Sequence, residues 1–282
     1  MLLLYLSVFL YAVNNILWKK FVLDVNPFNL ISKRAIFTVS LCILSLFWLK
    51  EDVFSFASGP QFFSALLGSV LGAMGLIFLV FSFKNGTLIQ YGFYSLAGSL
   101  ITAIYTFSIR GIPITHYATG ALLIVGGFLL FIYAESSKEQ KNPVRLQQHI
   151  FLSGMIVCFS LSMIIQYRNL QLIKPILLVS LQEIVVLLVS AAAFYLLKAK
   201  GLPGVTAKVR FWQAGIMALV VFFAVLSGAN GLKITDPFLS SLISLSGPVL
   251  TMLGGLLIFN EKVSFKVLLS IGLIIAGSLI LR

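Results

Sequence analysis

The sequence predicts an all-α polytopic membrane protein, with ten transmembrane helices arranged as two inverted five-helix repeats. Of its 282 residues, 60% are hydrophobic and 10% are charged, whereas a soluble domain carries about 25% charged residues. Apolar runs of about 18 or more residues, each long enough to span a bilayer, recur between short polar turns. With a mean hydropathy of +1.06, the chain could not cover a water-exposed surface with polar groups.

The first five predicted helices occupy residues 1–133. Proline opens the second of them, as expected because the first turn of a helix tolerates proline. In the third, Gly68, Gly72 and Gly75 should let another helix approach closely in lipid. The predicted bounds are Leu2–Trp18, Pro27–Leu49, Gln61–Phe83, Gly86–Ile109 and Ile114–Tyr133.

A polar connector, residues 134–149, is expected to join this unit to a second unit at residues 150–282. The second unit repeats the pattern of the first, since Pro175 opens its second helix as Pro27 does in the first unit. The predicted bounds of its helices are Ile150–Tyr167, Pro175–Leu197, Phe211–Leu232, Pro237–Phe259 and Phe265–Leu281.

An internal duplication supports the two units. The segment LIVGGFLL at residues 123–130 is a near copy of IIAGSLIL at residues 274–281, and the same shift brings Ser246 onto Ser95. Because five is an odd number, two five-helix units in one chain must lie in opposite orientations across the membrane. Inverted repeats are typical of secondary transporters, whose substrate site lies near the bilayer midplane.

Ionisable residues inside predicted membrane helices are the first functional candidates, because a charge in lipid is costly. Glu183 lies about two turns into the seventh helix, directly after Gln182. Since a low dielectric disfavours the charged carboxylate, Glu183 can exchange a proton during transport, or it can pair with a cationic substrate or a basic side chain. Arg34 holds the matching place in the second helix, where it can bind a carboxylate through two hydrogen bonds or pair with Glu183.

Polar and aromatic side chains on other helices are candidates for the lining of a cavity. Asn14 and Trp18 share a face of the first helix, and Tyr91 and Tyr94 lie one turn apart on the fourth. Ser244 belongs to a serine-rich part of the ninth helix, where each hydroxyl can line a cavity or bond back to its own helix. Trp18 and the tyrosines can form an aromatic wall for a cation or a ring, and Trp18 can equally anchor the helix at the interface.

Pro248 lies inside the predicted ninth helix, where a proline removes an internal hydrogen bond and kinks the helix. This suits a gating element. Cys42 and Cys158 lie in different apolar helices and are expected to be free thiols.

Several classes of function lack the residues they need. His, Cys and carboxylate residues show no metal-ligand spacing, and no phosphate-binding loop precedes a Lys-Ser or Lys-Thr pair. Neither a metal nor another cofactor is therefore expected. The net charge of +12 is attributed to Lys and Arg residues that flank membrane helices, so nucleic acid is not an expected partner.

The C-terminal motifs resemble a known family. Pro248, the turn NEKVS at residues 260–264 and the glycine-containing run at residues 271–277 are similar to the signature of EamA-type members of the drug/metabolite transporter superfamily. Pro27 followed by Arg34 resembles the second helix of that family. The resemblance implies a ten-helix inverted-repeat carrier of small metabolites, often an exporter of amino acids or organic cations.

The resemblance also bears on location. It implies a cell membrane, the inner membrane in a bacterium, with both termini in the cytoplasm, whereas the distribution of Lys and Arg among the loops favours the opposite orientation. The first half departs from the family pattern. Arg110 stands where the family usually has a glutamate in the turn, and Ala97 stands where it usually has a proline. A symmetric gating role for the two turns is therefore not expected.

The expected function is alternating-access transport by a monomer or homodimer, with the bilayer, a small-molecule substrate and protons as partners. An enzyme acting on a lipid-linked substrate is one alternative, but the loop carboxylates are scattered, whereas a catalytic site needs converging groups. A channel is another alternative, which continuous conduction through a bilayer would reveal.

Overall fold

The computed structural model describes residues 1–98, 118–136, 143–199, 209–235, 243–244, 246–262 and 264–280, which are almost entirely helical and contain no β-strand. The helices of this described part are numbered in chain order. They are α1 (Leu2–Val22), α2 (Pro27–Leu49), α3 (Val53–Ser58), α4 (Phe62–Asn85), α5 (described over residues 88–98), α6 (Ala118–Ser136), α7 (Pro143–Leu170), α8 (Pro175–Ala199), α9 (Phe211–Ile234), α10 (Ser246–Phe259) and α11 (Phe265–Ile280).

Six helices within these ranges are long and apolar enough to cross a membrane. Their apolar segments are Leu2–Val22, Pro27–Leu49, Phe62–Lys84, Leu146–Leu170, Pro175–Leu196 and Phe211–Ile234. Shorter apolar helical segments, such as Phe265–Gly277, accompany them. Large apolar side chains are exposed on the outer faces, including Phe47 and Trp48 at 85% each, which suits lipid surroundings. The prediction of an all-α, multi-spanning membrane protein is confirmed, and the complete set of ten inverted spans stays a prediction.

Local capping explains where the second helix begins. The side chain of Asn26 accepts hydrogen bonds from the backbone N–H groups of Phe28 at 3.0 Å and Asn29 at 3.3 Å, and Pro27 occupies the first helical position. This arrangement satisfies N–H groups that have no partner inside the helix. The predicted start of α2 is confirmed, as is the start of α8 at Pro175.

Two differences from the predictions lie on either side of α2. Helix α1 does not end at Trp18 but continues to Val22, so that Lys19 and Lys20 are helical. A short helix, α3, lies in the predicted loop after α2, where the carboxylate of Asp52 accepts a hydrogen bond from the N–H of Ser55 at 3.0 Å. The predictions end helices at polar residues, but a charged side chain can continue a helix that extends beyond the apolar core.

The connector is shorter than the polarity of residues 134–149 predicts. Helix α6 continues to Ser136, and α7 begins at Pro143 instead of Ile150. Residues 145–148, RLQQ, are good helix formers, so their polarity marks a helical extension. The predicted ends at Ile109, Ile114, Pro237 and Leu281 lie outside the described residues, as does the turn at Arg110.

Helices of the two halves pack in four main pairs. These are α1 with α9, α4 with α7, α2 with α8 and α6 with α11. Exchanging the two predicted units converts the first pair into the second and leaves the other two pairs unchanged. Such a pattern is expected of two related units, while their inversion stays a prediction.

Small residues allow the close contact between α4 and α7. The hydroxyl of Ser162 donates a hydrogen bond to the carbonyl oxygen of Gly68 at 2.7 Å. A Cβ atom at Gly75 would lie 2.6 Å from the ring of Phe159, a distance that closely packed side chains do not reach. The predicted close approach at the α4 glycines is confirmed.

Candidate functional site

A cavity of about 390 Å³ lies between helices of both halves. In the first half α1, α2, α4 and α5 contribute to its wall, and in the second half α7 to α10 do. Eight of the nine candidate residues from the sequence line this cavity: Asn14, Trp18, Arg34, Tyr91, Gln182, Glu183, Ser244 and Pro248. The sequence patterns therefore converge on one place.

An ion pair between α2 and α8 is the main charged feature of the cavity wall. The Nη1 atom of Arg34 lies 3.2 Å from Oε1 and 2.9 Å from Oε2 of Glu183. The Arg34 and Glu183 side chains are 1% and 3% exposed. Since each residue lies about two turns after the proline that opens its helix, the packing of α2 against α8 brings them together.

Several buried polar atoms of the lining have no hydrogen-bond partner within the described residues. The donors are Nε and Nη2 of Arg34 and the indole Nε1 of Trp18, and the acceptors are Oδ1 of Asn14, Oε1 of Gln166 and Oε2 of Glu183. The last of these still lies within ion-pair distance of Arg34. The guanidinium carbon of Arg34 lies 5.9 Å from the centre of the Trp18 ring. Because native proteins satisfy most buried polar atoms, such a concentration requires an explanation, and a bound molecule or water is the ordinary one.

Asn15 fixes the geometry of this wall, although it was not among the nine candidates. Its side-chain amide donates to the hydroxyl of Tyr91 at 3.0 Å and to the hydroxyl of Thr251 at 3.3 Å, which joins α1 to α5 and α10. Tyr11 also lines the cavity. It precedes Asn14 by three residues and Asn15 by four, so helical spacing from Asn14 and Trp18 could have identified both residues.

The structure places Tyr94 outside the cavity lining. Its side chain is 4% exposed, its hydroxyl lies 2.8 Å from Nδ1 of His149, and its ring packs edge-on against Phe128 with centroids 5.1 Å apart. The reason is its position on α5, because Tyr91 and Ser95 face the cavity while Tyr94 is turned toward α6 and α7. Tyr94 therefore anchors neighbouring helices and does not line the cavity with Tyr91.

Pro248 and Gln182 occupy the wall in different ways. Pro248 is buried in α10, and residues 243–244 ahead of it are also helical. Residues 236–242, the beginning of the predicted ninth helix, lie outside the described residues. The Gln182 amide faces α4, where a Cβ atom at Gly72 would lie 3.4 Å from its Nε2.

A second polar cluster surrounds the beginning of α5. The carboxylate of Glu261, from the turn between α10 and α11, accepts hydrogen bonds from the N–H groups of Leu88 at 2.9 Å and Ile89 at 3.1 Å. The next N–H, that of Gln90, donates to the hydroxyl of Thr87 at 3.1 Å. Side chains thus accept hydrogen bonds from the first three backbone N–H groups of α5.

Lys19 completes this cluster from α1. Its ammonium group donates to the carbonyl oxygen of Phe83 at 2.9 Å and to that of Gly86, where a cation complements the C-terminal end of the α4 dipole. Lys19 directly follows Trp18, which lines the cavity. The sequence identified the Glu261 turn as a motif, but gave no signal for the partners of either charge.

Comparison with known proteins bears on both the fold and the family. One solved structure, described as "Crystal structure of protein", is 18% identical to this chain with a TM-score of 0.70, over 99% of this chain and 94% of the other. This likeness shows the fold alone. No curated protein matches the chain. Residues 146–282 match the model of the EamA-like transporter family.

The C-terminal part of the chain is thus similar to the EamA-like transporter family. The resemblance noted from the sequence is thereby confirmed, and the match supports a role in membrane transport for the protein in general. The EamA-like half contributes Gln182, Glu183, Ser244 and Pro248 to the cavity wall, opposite Arg34 and the α1 residues of the first half. The family match and the second-half wall of the cavity thus concern the same helices, α7 to α10.

Proposed function

We propose that the protein is a secondary carrier that moves a small metabolite across a cell membrane by alternating access, with the cavity as its substrate site. The observation that carries this proposal is the buried Arg34–Glu183 pair in the wall of a cavity that both halves line. Desolvation offsets most of the attraction within a buried ion pair, so such a pair is a weak source of stability. A role in transport better explains two ionisable side chains buried within membrane-spanning helices.

Glu183 is the proposed coupling group. Its carboxylate is held by Nη1 of Arg34, and a proton on Glu183 would remove the negative charge that holds the guanidinium. The pair then has a closed and an open arrangement, whose populations a proton gradient can bias. Because α2 and α8 belong to different halves, opening the pair changes the contact between the halves, as alternating access requires.

The unmet polar atoms favour a substrate of the amino acid class over an organic cation. Donors on Arg34 and Trp18 lie in the same wall as acceptors on Asn14 and Gln166, and a zwitterion offers complementary groups to both. Export as the direction of transport, and the inner membrane of a bacterium as the location, rest on the family resemblance. Pro248 of α10 is proposed to act as a gating residue.

The test is gradient-driven transport in liposomes that contain a pH-sensitive dye. Pools of amino acids and of quaternary amines are added to the reconstituted protein, to Glu183→Gln and to Glu51→Gln. Glu51 is a matched control, since its carboxylate pairs at 2.8 Å with the exposed Lys174 in a loop. We expect an amino-acid-dependent pH change that Glu51→Gln keeps and Glu183→Gln loses. Unchanged transport by a folded Glu183→Gln protein would contradict the proposed coupling.

A further inference from the structure

Arg34 uses one of its three guanidinium nitrogens in the ion pair. Nη1 contacts both carboxylate oxygens of Glu183, at 3.2 and 2.9 Å. Nε and Nη2 have no hydrogen-bond partner within the described residues, although the side chain is 1% exposed. The ion pair therefore leaves one complete edge of a buried guanidinium group without acceptors.

The free edge has a specific shape. The Nε–H and one Nη2–H bond of a guanidinium group are parallel and match the spacing of the two oxygens in a carboxylate. The indole N–H of Trp18, which is fully buried and also lacks a partner, belongs to the same wall. Each buried donor without an acceptor costs about 1–3 kcal/mol, so this wall is arranged to receive oxygen atoms.

We propose that the free edge of Arg34 and the indole N–H of Trp18 form an oxyanion subsite for the carboxylate of a monoanionic or zwitterionic substrate. This inference rests on the proposed transport function, because it assigns one part of the same cavity. A substrate carboxylate takes the Nε and Nη2 edge while Glu183 keeps Nη1. Glu183 and the substrate therefore share one guanidinium group.

Charge favours a carboxylate over a phosphate. Among the described lining residues the charged side chains are Arg34 and Glu183, whose charges cancel. A carboxylate adds a single negative charge to this wall, whereas a phosphate monoester carries about −1.5 to −2 at neutral pH, and uncompensated buried charge is costly. A cation without a carboxylate would leave all three donors unmet and would compete with Arg34 for Glu183.

The remaining lining limits the body of the substrate. Aromatic side chains of Tyr11, Tyr91 and Phe159 and the aliphatic side chains of Leu76 and Val186 surround the polar groups. The volume of about 390 Å³ falls in the lower part of the range of about 300–1,000 Å³ that is usual for small-molecule sites. A small carboxylate with an apolar or aromatic body fits this combination.

Binding to the purified full-length chain in detergent tests the subsite without a gradient. The chain has three tryptophans, of which Trp48 and Trp212 are 85% and 53% exposed. Replacing these two by phenylalanine leaves Trp18 as the fluorescent reporter. The probes are phenylacetate, phenylacetamide, phenethylamine and phenyl phosphate, which share a ring and differ in the polar group, together with acetate.

We expect phenylacetate to change the Trp18 emission saturably. Its affinity should be at least about tenfold above those of the amide, the amine and the phosphate. Of the four polar groups, only the carboxylate can accept both hydrogen bonds from the free edge of Arg34 while adding a single negative charge to the cavity. Equal or tighter binding of any of these three would overturn the proposal. The absence of a saturable response to both phenylacetate and acetate would overturn it as well.

Variants at neighbouring positions separate recognition from folding. Arg34→Lys keeps the positive charge beside Glu183 but replaces the planar edge by a single ammonium group, so the preference for carboxylate over amide should fall at least about tenfold. Lys33→Gln is the control, since the Lys33 ammonium donates to the carbonyl oxygen of Val209 at 3.2 Å outside the lining. An unchanged preference in a folded Arg34→Lys protein would exclude Arg34 as the recognition group.

The binding experiment and the transport experiment test the subsite and the carrier separately. Carboxylate-selective binding without gradient-driven uptake would leave the subsite intact and contradict the carrier. Transport that shows no preference for carboxylates would leave the carrier intact and contradict the subsite.

Discussion

Glu261 accepts the first backbone N–H of α5, that of Leu88, at 2.9 Å, although the two residues lie in different halves of the chain. Its second carboxylate oxygen accepts the N–H of Ile89 at 3.1 Å. A negative charge at this end of a helix is favoured by the helix dipole, and the two hydrogen bonds satisfy N–H groups that the helix leaves free. The family-like turn of the second half thus stabilises a helix of the first half.

The first prediction concerns this cap. Glu261→Gln removes the negative charge and one of the two acceptor oxygens, so the free energy of unfolding should fall by about 1–2 kcal/mol. SDS titration in mixed micelles, followed by circular dichroism, measures the change. Glu51→Gln removes a carboxylate from a partly exposed loop ion pair and should cost about 0–1 kcal/mol. Equal losses in the two variants would show that the cap adds no specific stability.

The second prediction concerns the pair inside the cavity. Arg34→Gln and Glu183→Gln each leave one buried charge without its partner, and each should lower the free energy of unfolding by about 3–5 kcal/mol. The double variant replaces the pair by two neutral amides. The free energy of unfolding of the double variant should therefore fall by clearly less than the sum of the two single decreases, because residues in contact are coupled.

SDS titration of the wild type, the two single variants and the double variant gives the coupling energy directly. A second cycle with Lys174→Gln and Glu51→Gln serves as a comparison. Lys174 is 66% exposed, so the coupling energy between Lys174 and Glu51 should stay within about 1 kcal/mol. Additive losses in the Arg34–Glu183 cycle would mean that the two charges do not stabilise one another in the folded protein.

Local sequence chemistry predicted much of the fold and of the candidate site. The prolines at positions 27 and 175 identified two helix starts because proline is suited to the first turn. Arg34 and Glu183 follow these prolines at similar distances, about two turns into their helices, and the structure pairs them. Helical spacing brought Asn14 and Trp18 to one cavity. These features depend on residues a few positions apart, which a sequence displays directly.

Tertiary partners could not be predicted in the same way. The apolar pattern places Lys19 after the end of its helix, but its ammonium binds carbonyl groups of the α4–α5 region. Tyr94 is one turn from Tyr91, yet it pairs with His149 of α7. In both cases the decisive neighbour belongs to another helix, and the order of residues alone does not state which helix faces which.

The third prediction concerns Asn15, which joins three helices. Its amide donates to Tyr91 and Thr251, so Asn15→Ala should lower the free energy of unfolding by about 1–2 kcal/mol, the upper range for interhelical hydrogen bonds in membranes. Asn230→Ala is the control, because the Asn230 amide donates to the Leu226 carbonyl of its own helix. SDS titration compares the two, and an Asn230 loss as large as that of Asn15 would argue against a joining role.

The last prediction uses two glycines of the same helix, α11. A Cβ atom at Gly277 would lie 2.6 Å from the carbonyl oxygen of Gly120 in α6, whereas one at Gly272 would meet nothing within 4 Å. Backbone cannot yield as a flexible side chain does, so Gly277→Ala should force α6 and α11 apart and cost about 1–3 kcal/mol. Gly272→Ala should be neutral or stabilise the helix by up to about 1 kcal/mol, because alanine has the higher helix propensity. Thermal unfolding in detergent distinguishes the two variants, and an equal melting temperature for both would show that α6 and α11 do not pack this closely.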